Sequence, residues 1–249
     1  MKFSILAAAL TTTFAAGSAC AADTDAATDL SFNAAVTSDY RYRGISQTRL
    51  QPALQGGADF VHKPSGVYAG AWGSSIKWTS DAGGDGDVEI DLYLGKRGEL
   101  SAGLGYDFGV LRYAYPSNEL ASVPGFVNAN TTEVYGQLSY GPALVKYSHA
   151  VTNLFGFVDS KDSAYLDLAA NLDAGSGVTV NLHAGRQRIA NNSAASYTDW
   201  KIGVTRDFGV VTGALAYIGT NAGKSAYASP ANGKFLGKSA LLLTVSKTF

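Results

Sequence analysis

Apolar and polar residues alternate along most of the chain. Near its start Phe32, Ala34, Val36, Tyr40 and Tyr42 share one parity, while Asn33, Thr37, Asp39, Arg41 and Arg43 share the other. That two-residue period belongs to a strand with one apolar and one polar face. Tyr68, Trp72, Ile76 and Trp78 form a second apolar row, read as facing outward, and Val88, Ile90, Leu92 and Leu94 oppose Glu89, Asp91 and Tyr93. The pattern predicts about twelve strand segments, over 30–43, 52–62, 67–78, 87–95, 100–115, 131–140, 143–151, 163–172, 178–186, 197–205, 210–218 and 238–249. Most run about nine to twelve residues, longer than an ordinary globular strand and long enough for a tilted strand to cross a membrane. Within 100–115 the apolar parity changes from Leu104, Tyr106 and Phe108 to Leu111, Tyr113 and Tyr115, which predicts a β-bulge near Gly109.

The connections alternate as well. Long links (Gly44–Gln51, Thr79–Gly86, Pro116–Asn130, Thr152–Asp162, Gln187–Ser196 and Gly219–Gly237) alternate with short ones (Lys63–Gly66, Lys96–Glu99, Gly141-Pro142, Asp173–Gly177 and Arg206–Gly209). Short periplasmic turns and longer external loops have this rhythm in outer-membrane barrels, whose strand number is even. The predicted fold class is therefore all-β, a transmembrane antiparallel β-barrel of about twelve strands. A soluble β-sandwich also alternates, but predicts shorter strands and no systematic linkage. No apolar run of the mature chain approaches the roughly 18 to 20 residues of a spanning helix.

The leader explains how such a chain reaches its membrane. Met1-Lys2, the apolar run Phe3 to Phe14 and the triplet Ala19-Cys20-Ala21 read as a secretory signal cut after Ala21 or Ala22. The expected layout is a cleaved signal peptide over 1–22, a short periplasmic tail over 23–29 and the barrel over 30–249. Cys20, the single cysteine, would leave with the leader, so disulfides and thiolate metal sites are not expected. A lipidated Cys20 would need Leu three residues earlier, where Gly17 stands. Without Lys2, 18 basic residues face 20 acidic ones, a net charge of −2 that gives no footing for nucleic acid. Charged residues are only 16% of the chain, against 29 Gly and 14 Tyr, a balance unlike that of a soluble domain.

The run Thr37-Ser38-Asp39-Tyr40-Arg41-Tyr42-Arg43-Gly44-Ile45-Ser46-Gln47-Thr48, followed by Pro52-Ala53-Leu54-Gln55-Gly56-Gly57, resembles the opening signature of the TorF-type outer-membrane porins of proteobacteria. Gly66-Val67-Tyr68-Ala69-Gly70, Val88-Glu89-Ile90-Asp91-Leu92-Tyr93, Gly105-Tyr106-Asp107-Phe108-Gly109 and Tyr113-Ala114-Tyr115-Pro116 are similar to further segments of that family. The later half is similar mainly in strand pattern and in its terminal Phe249. The resemblance implies an outer-membrane barrel with a channel role. Phe249, preceded at alternate positions by Lys247, Val245, Leu243 and Leu241, resembles the signal read by the outer-membrane assembly machinery.

Parity assigns the candidate pore-lining charges: the acids Asp39, Asp59, Glu89, Asp91, Asp107, Glu133, Asp167 and Asp199, and the bases Arg41, Arg43, Arg112, Lys146 and Lys201, with His183 among them. An Arg or Lys facing lipid at mid-membrane costs about 2 to 4 kcal/mol, which is the reason for placing charges inside. They would line a water-filled path that weakly favours cations or neutral polar solutes, or knit the lumen shut with ion pairs. Asp39, Arg41 and Arg43 could form a constriction, or anchor the first external loop by pairing with Asp59 or with a carboxylate on the strand that closes the barrel against the first.

The expected activity is passive diffusion of small polar solutes or ions, with a non-conducting structural or surface-interaction barrel as the alternative. Partners would be outer-membrane lipid and lipopolysaccharide, the assembly machinery and the solutes. No enzymatic chemistry, catalytic residue, metal or cofactor is expected, nor an energy-coupling plug domain before the first strand. A barrel lipase would need Ser and His together on the lipid face. His62 sits at a turn, His149 falls opposite Val134, and His183 lies between Asp167 and Asp199 without a nucleophile. Gly219 to Ser225 and Gly233 to Ser239 are each one residue short of a P-loop. Asp81 to Asp87 resembles a calcium loop, but its twelfth position is Leu92 rather than Glu. Trp72, Trp78 and Trp200 are expected in interfacial belts.

Overall fold

The computed structural model describes residues 27–249. The expected signal peptide, Cys20 and most of the short tail lie outside them. Twelve strands close into one antiparallel barrel. In chain order the wall consists of β1 (Thr28–Thr37), β4 (Ala53–His62), β5 (Val67–Ser75), β6 (Val88–Ser101), β7 (Leu104–Ala114), β8 (Thr131–Tyr140), β9 (Ala143–Ala150), β10 (Ala164–Gly175), β11 (Val178–Arg188), β12 (Tyr197–Asp207), β13 (Thr212–Thr220) and β14 (Ala240–Thr248). Between β1 and β4, β2 (Arg41–Tyr42) and β3 (Ile45–Ser46) pair only with each other. Each wall strand pairs with its sequence neighbour, and β1 closes the ring by pairing Val36 with Leu54 on one side and Val245 on the other. Closure leaves no edge, so every ladder group has a partner where no water could supply one.

Alternation decides what each face meets. Leu30, Phe32 and Val36 of β1, Leu92 and Leu94 of β6, Ile202 and Val204 of β12, and Leu241, Leu243 and Val245 of β14 all stand exposed on the outside. A continuous apolar outer surface on a closed sheet suits lipid and would be a liability in water. Trp200 and Tyr217 pack together on this outer face, as expected of an interfacial belt. The short connections gather at one end of the barrel, among them Ser176-Gly177, where both residues take positive φ as a two-residue hairpin requires.

Several sequence expectations are corrected. The first wall strand ends at Thr37 rather than 43, because the chain leaves the wall and turns inward, so Tyr40 and Tyr42 face the interior. No bulge occurs at Gly109: pairing runs without interruption from Ile90 opposite Ala114 to Glu99 opposite Gly105, and the register shift falls between Glu99 and Ser101. Strand β6 accordingly continues through the predicted turn at 96–99 and reverses at residues 102–103. The apparent parity change arose because aromatic and apolar residues occupy both faces. Leu111, Tyr113 and Tyr115 are buried inside, as are Tyr68, Trp72 and Ile76, which therefore form an inward row. Trp78 is not in a strand but opens the short helix α1 (Trp78–Asp81), so neither Trp72 nor Trp78 belongs to a lipid belt.

The interior also explains the glycine and tyrosine content. The rings of Tyr68, Tyr93, Tyr135 and Tyr165 occupy the space that a Cβ would need at Gly95, Gly70, Gly109 and Gly185 respectively. A bare glycine on the neighbouring strand lets each ring lie close to the wall of a narrow barrel, with its hydroxyl free to bond across the lumen.

Candidate functional site

The residues that carry the strongest sequence signature build a plug. Beyond Thr37 the chain folds into the lumen as the β2–β3 hairpin, whose two-residue tip is Arg43-Gly44, both at positive φ. Asp39 organises its base: the carboxylate accepts Arg41 Nε at 2.6 Å, Ser46 Oγ at 2.5 Å and Thr48 Oγ1 at 3.2 Å, tying both limbs to one residue. Arg41 Nη1 donates to the carbonyls of Gly44, Leu236 and Lys238, fastening the hairpin to the last long loop. At the tip, Gly44 lies against Asp199 and Thr220, where a side chain would collide with both.

Arg43 makes the longest reach. Its guanidinium grips Glu133 of β8 at 2.7 and 3.0 Å, donates to Gln187 of β11 at 2.7 Å, and lies 4.2 Å from the ring centre of Tyr165. Both partners of the ion pair are almost wholly buried, with side chains 4% and 2% exposed. Two parallel N–H···O bonds and a ring face suit the planar guanidinium, and a lysine could not reproduce them. Tyr40 donates to Glu89 at 2.8 Å, and Tyr42 donates to Tyr113, which itself donates to Glu133. The hairpin thus spans the barrel from β6 to β12.

Parity placed most of the candidate charges inside. Asp59, Glu89, Asp91, Asp107, Glu133, Lys146, Asp167, His183, Asp199 and Lys201 all project from the wall into the interior. Asp39, Arg41 and Arg43 are interior too, but as parts of the hairpin rather than of the wall. Arg112 is the exception. It shares the outward parity of Val110 and Ala114, and it bonds Thr132 on the outer face near the long-loop end, where its charge reaches the interface. Arg97 was missed: it falls on the inward parity of β6 and sits 5.2 Å from the Tyr68 ring centre. Reading β6 through the supposed turn at 96–99 would have found it.

The interior groups form linked clusters. His183 bonds Asp167 at 2.9 Å, Asp199 at 3.1 Å and Tyr165 at 3.1 Å. Tyr93 donates to Asp59, and Tyr68 donates to Asp107 and contacts the Tyr135 hydroxyl, while Lys146 Nζ lies 4.1 Å from the centre of the Tyr135 ring. Asp91 is fully buried, and neither carboxylate oxygen has a hydrogen-bond partner among the described residues. Beside the hairpin a cavity of about 70 Å³ runs along small residues of β12 to β14, including Gly203, Ala214 and Ala216, with Asp39, Arg41 and Lys201 at its boundary.

Other sequence candidates resolve differently. His149 lies opposite Val134, stacks on Tyr147 and meets the Asp162 carboxylate at 3.2 Å. The carboxylates of the acidic segment 81–87 turn to separate partners: Asp81 to Arg49 and Ser229, Asp85 to the Gly86 amide, and Asp87 to Lys77 and Ser80. The bond from Lys77 holds the Asp87 carboxyl below its usual range. Gly219 lies within β13, and only the single turn α2 (Lys224–Tyr227) follows it, so the geometry of a phosphate loop is absent from this segment.

Comparison with solved structures returns barrels. The NanC porin superposes with a TM-score of 0.53 at 10% identity, over 88% of this chain and 98% of that one. OprD from Pseudomonas aeruginosa gives 0.42 at 10% identity, over 90% of this chain and 66% of that one. LpxR from Salmonella typhimurium gives 0.43 at 12% identity, over 88% and 99%. At such identities the likeness is one of fold. No curated protein matches the chain. The closed antiparallel wall and its apolar outer surface are those of a membrane-spanning β-barrel and place the protein in the bacterial outer membrane. A family model, described as "bacterial protein of unknown function (Gcw_chp)", matches residues 21–249, and the chain belongs to that family.

Proposed function

We propose that the protein is a narrow channel, constricted by its own first long loop, through which small polar solutes or ions diffuse passively across the outer membrane. The observation that supports this best is that the obstruction is a loop hairpin held by side-chain contacts and a backbone bond from the Ser46 amide to the Leu236 carbonyl, whereas the wall behind it is lined with ionisable and hydroxylated residues. A loop can leave the lumen while the wall keeps its ladder, so an obstruction of this kind can open. The long-loop end faces outward, and the lining residues are Asp39, Arg41, Arg43, Asp59, Glu89, Asp91, Arg97, Asp107, Glu133, Lys146, Asp167, His183, Asp199 and Lys201. Acids outnumber bases among them, which favours cations weakly. No covalent chemistry is assigned to these residues. The TorF-type resemblance points the same way, and Phe249 serves as the assembly signal on this reading.

A second reading has its own support: the Arg43–Glu133 pair and the Arg41 contacts close the lumen as it stands, as a purely structural barrel would require. Single-channel recording of the refolded mature protein, with the reversal potential taken in a salt gradient, separates the two. Discrete steps with a mildly cation-selective potential are expected. A silent bilayer, with heat-modifiable migration showing that the barrel has folded, would favour the structural reading.

A further inference from the structure

The two halves of the lumen are packed differently. In the closed ring β6, β7 and β8 stand opposite β12, β13 and β14. On β6 to β8 the inward residues Glu89, Asp91, Tyr93, Tyr113, Glu133 and Tyr135 are all buried. On β12 to β14 the inward positions include Gly203, Ala214 and Ala216, and the cavity of about 70 Å³ lies over them. Its lining residues Lys201, Ala214, Ala216, Ile218 and Thr244 keep accessible surface.

This cavity is long rather than round. It follows four successive inward positions of β13, Thr212, Ala214, Ala216 and Ile218, which is about 20 Å of strand and, even tilted, more than half the depth of an apolar band of roughly 25 Å. Its inner end lies at Thr212 and Ser246, which pair beside the short turn 208–211, and its outer end meets Asp39, Tyr40 and Arg41 of the hairpin. There Arg41 donates to the Leu236 and Lys238 carbonyls of the last long loop, so its side chain roofs the mouth. A space of this volume holds a file of on the order of five waters.

The chemistry of the lining narrows what passes. Its three charged side chains, Asp39, Arg41 and Lys201, all lie at the outer end, two positive against one negative. Farther in, the polar side chains are hydroxyls and amides, among them Thr205, Thr212, Thr244, Ser246 and Asn181, which donate and accept but carry no charge. An ion in so narrow a space loses its hydration with no counter-charge to replace it, whereas an uncharged solute exchanges water bonds for hydroxyl bonds. The acids Glu89, Asp91 and Glu133 stand on the packed half, and none of them lines this space.

We propose that, with the hairpin docked, small uncharged hydrogen-bonding solutes of about the size of urea cross the barrel off its axis, along β12 to β14, entering beneath Arg41. The inference rests on the channel reading and narrows its solute class. Ions cross in the wider lumen left when the hairpin undocks, so their preference is set by the wall as a whole.

The test is uptake of labelled urea, and of labelled guanidinium as a cation of the same shape, into proteoliposomes of the mature protein, with potassium and valinomycin holding the potential at zero. Urea uptake above that of protein-free liposomes is expected, roughly tenfold or more faster than guanidinium. Ala214→Leu and Ala216→Leu each add bulk to the file and should slow urea roughly fivefold or more, whereas Gln137→Phe, inward on the opposite wall, should leave it within about twofold. Either filling variant serves if the other fails to fold, with heat-modifiable migration as the check. Arg41→Ala should raise urea uptake several-fold, and an unchanged rate overturns its role as the roof. Urea uptake that a folded filling variant leaves unchanged, or that Gln137→Phe slows as much, overturns the route. Guanidinium keeping pace with urea overturns the solute class. Conductance steps without uptake of urea overturn this inference alone, whereas a silent bilayer without uptake of either solute overturns the channel reading with it.

Discussion

Replacing Arg43 with alanine tests the loop-constricted channel most directly. The substitution removes two bonds to Glu133, one to Gln187 and the ring contact with Tyr165, and leaves the Glu133 carboxylate buried with only the 3.3 Å bond from Tyr113. Removing one partner of a buried ion pair costs about 3 to 5 kcal/mol, chiefly because the other charge is stranded. The wall holds Glu133 through its ladder with β7 and β9, so the cheapest relief is for the hairpin to leave and water to enter. At about 1.4 kcal/mol per decade, even the lower figure raises the undocked population roughly a hundredfold. Single-channel recording should show longer or larger open states, and hydrogen exchange should speed up within residues 38–52 while the wall strands keep their protection. The double variant Arg43→Ala/Glu133→Ala should undock the hairpin far less than the single effects predict together, since no charge is then stranded. Unchanged conductance together with unchanged exchange in a folded Arg43→Ala barrel would refute the reasoning. So would additive effects in the double variant, because they would mean that the stranded charge contributes nothing.

Further outcomes follow from the same geometry. Gly44→Ala places a Cβ against Asp199 and Thr220 at a position of φ +80°, so the tip should be expelled with conductance changes like those of Arg43→Ala; normal docking by hydrogen exchange would contradict the close approach. Lys146→Glu should shift the reversal potential towards cations, whereas Arg112→Glu, on the outer face, should leave it unmoved; a shift from Arg112→Glu would put that residue back in the pore. Gly185→Val should destabilise the barrel by about 1 to 3 kcal/mol through collision with the Tyr165 ring, measured as a lower urea midpoint, and the companion change Tyr165→Ala should relieve part of it. If the two losses simply add, the ring does not rest on that glycine.

Alternation and link length sufficed, from sequence alone, for the membrane barrel, its strand number and most of the interior charges. Both are local properties: a strand shows a period of two wherever it lies, and a barrel's connections repeat with its hairpins. Asp59, Glu133, Lys146, Asp167, His183 and Asp199 followed from parity because a charge on the lipid face is too costly to keep. The aromatic rows were misread because period two says that two faces differ but does not say which is inside. Tyr68, Trp72 and Ile76 are as apolar as a lipid-facing row, and it takes the folded barrel, with Gly95 beside the Tyr68 ring and Gly57 beside Trp72, to show that the interior accommodates them. Residues 39–46 carried the strongest signature and were the most misplaced. Asp-Tyr-Arg-Tyr-Arg alternates in a two-stranded hairpin as it would in a wall strand, so the local pattern is satisfied by either. What selects the hairpin is a set of partners far away in sequence, Glu133 and Gln187 for Arg43 and the Leu236 and Lys238 carbonyls for Arg41, which meet only once the barrel has closed.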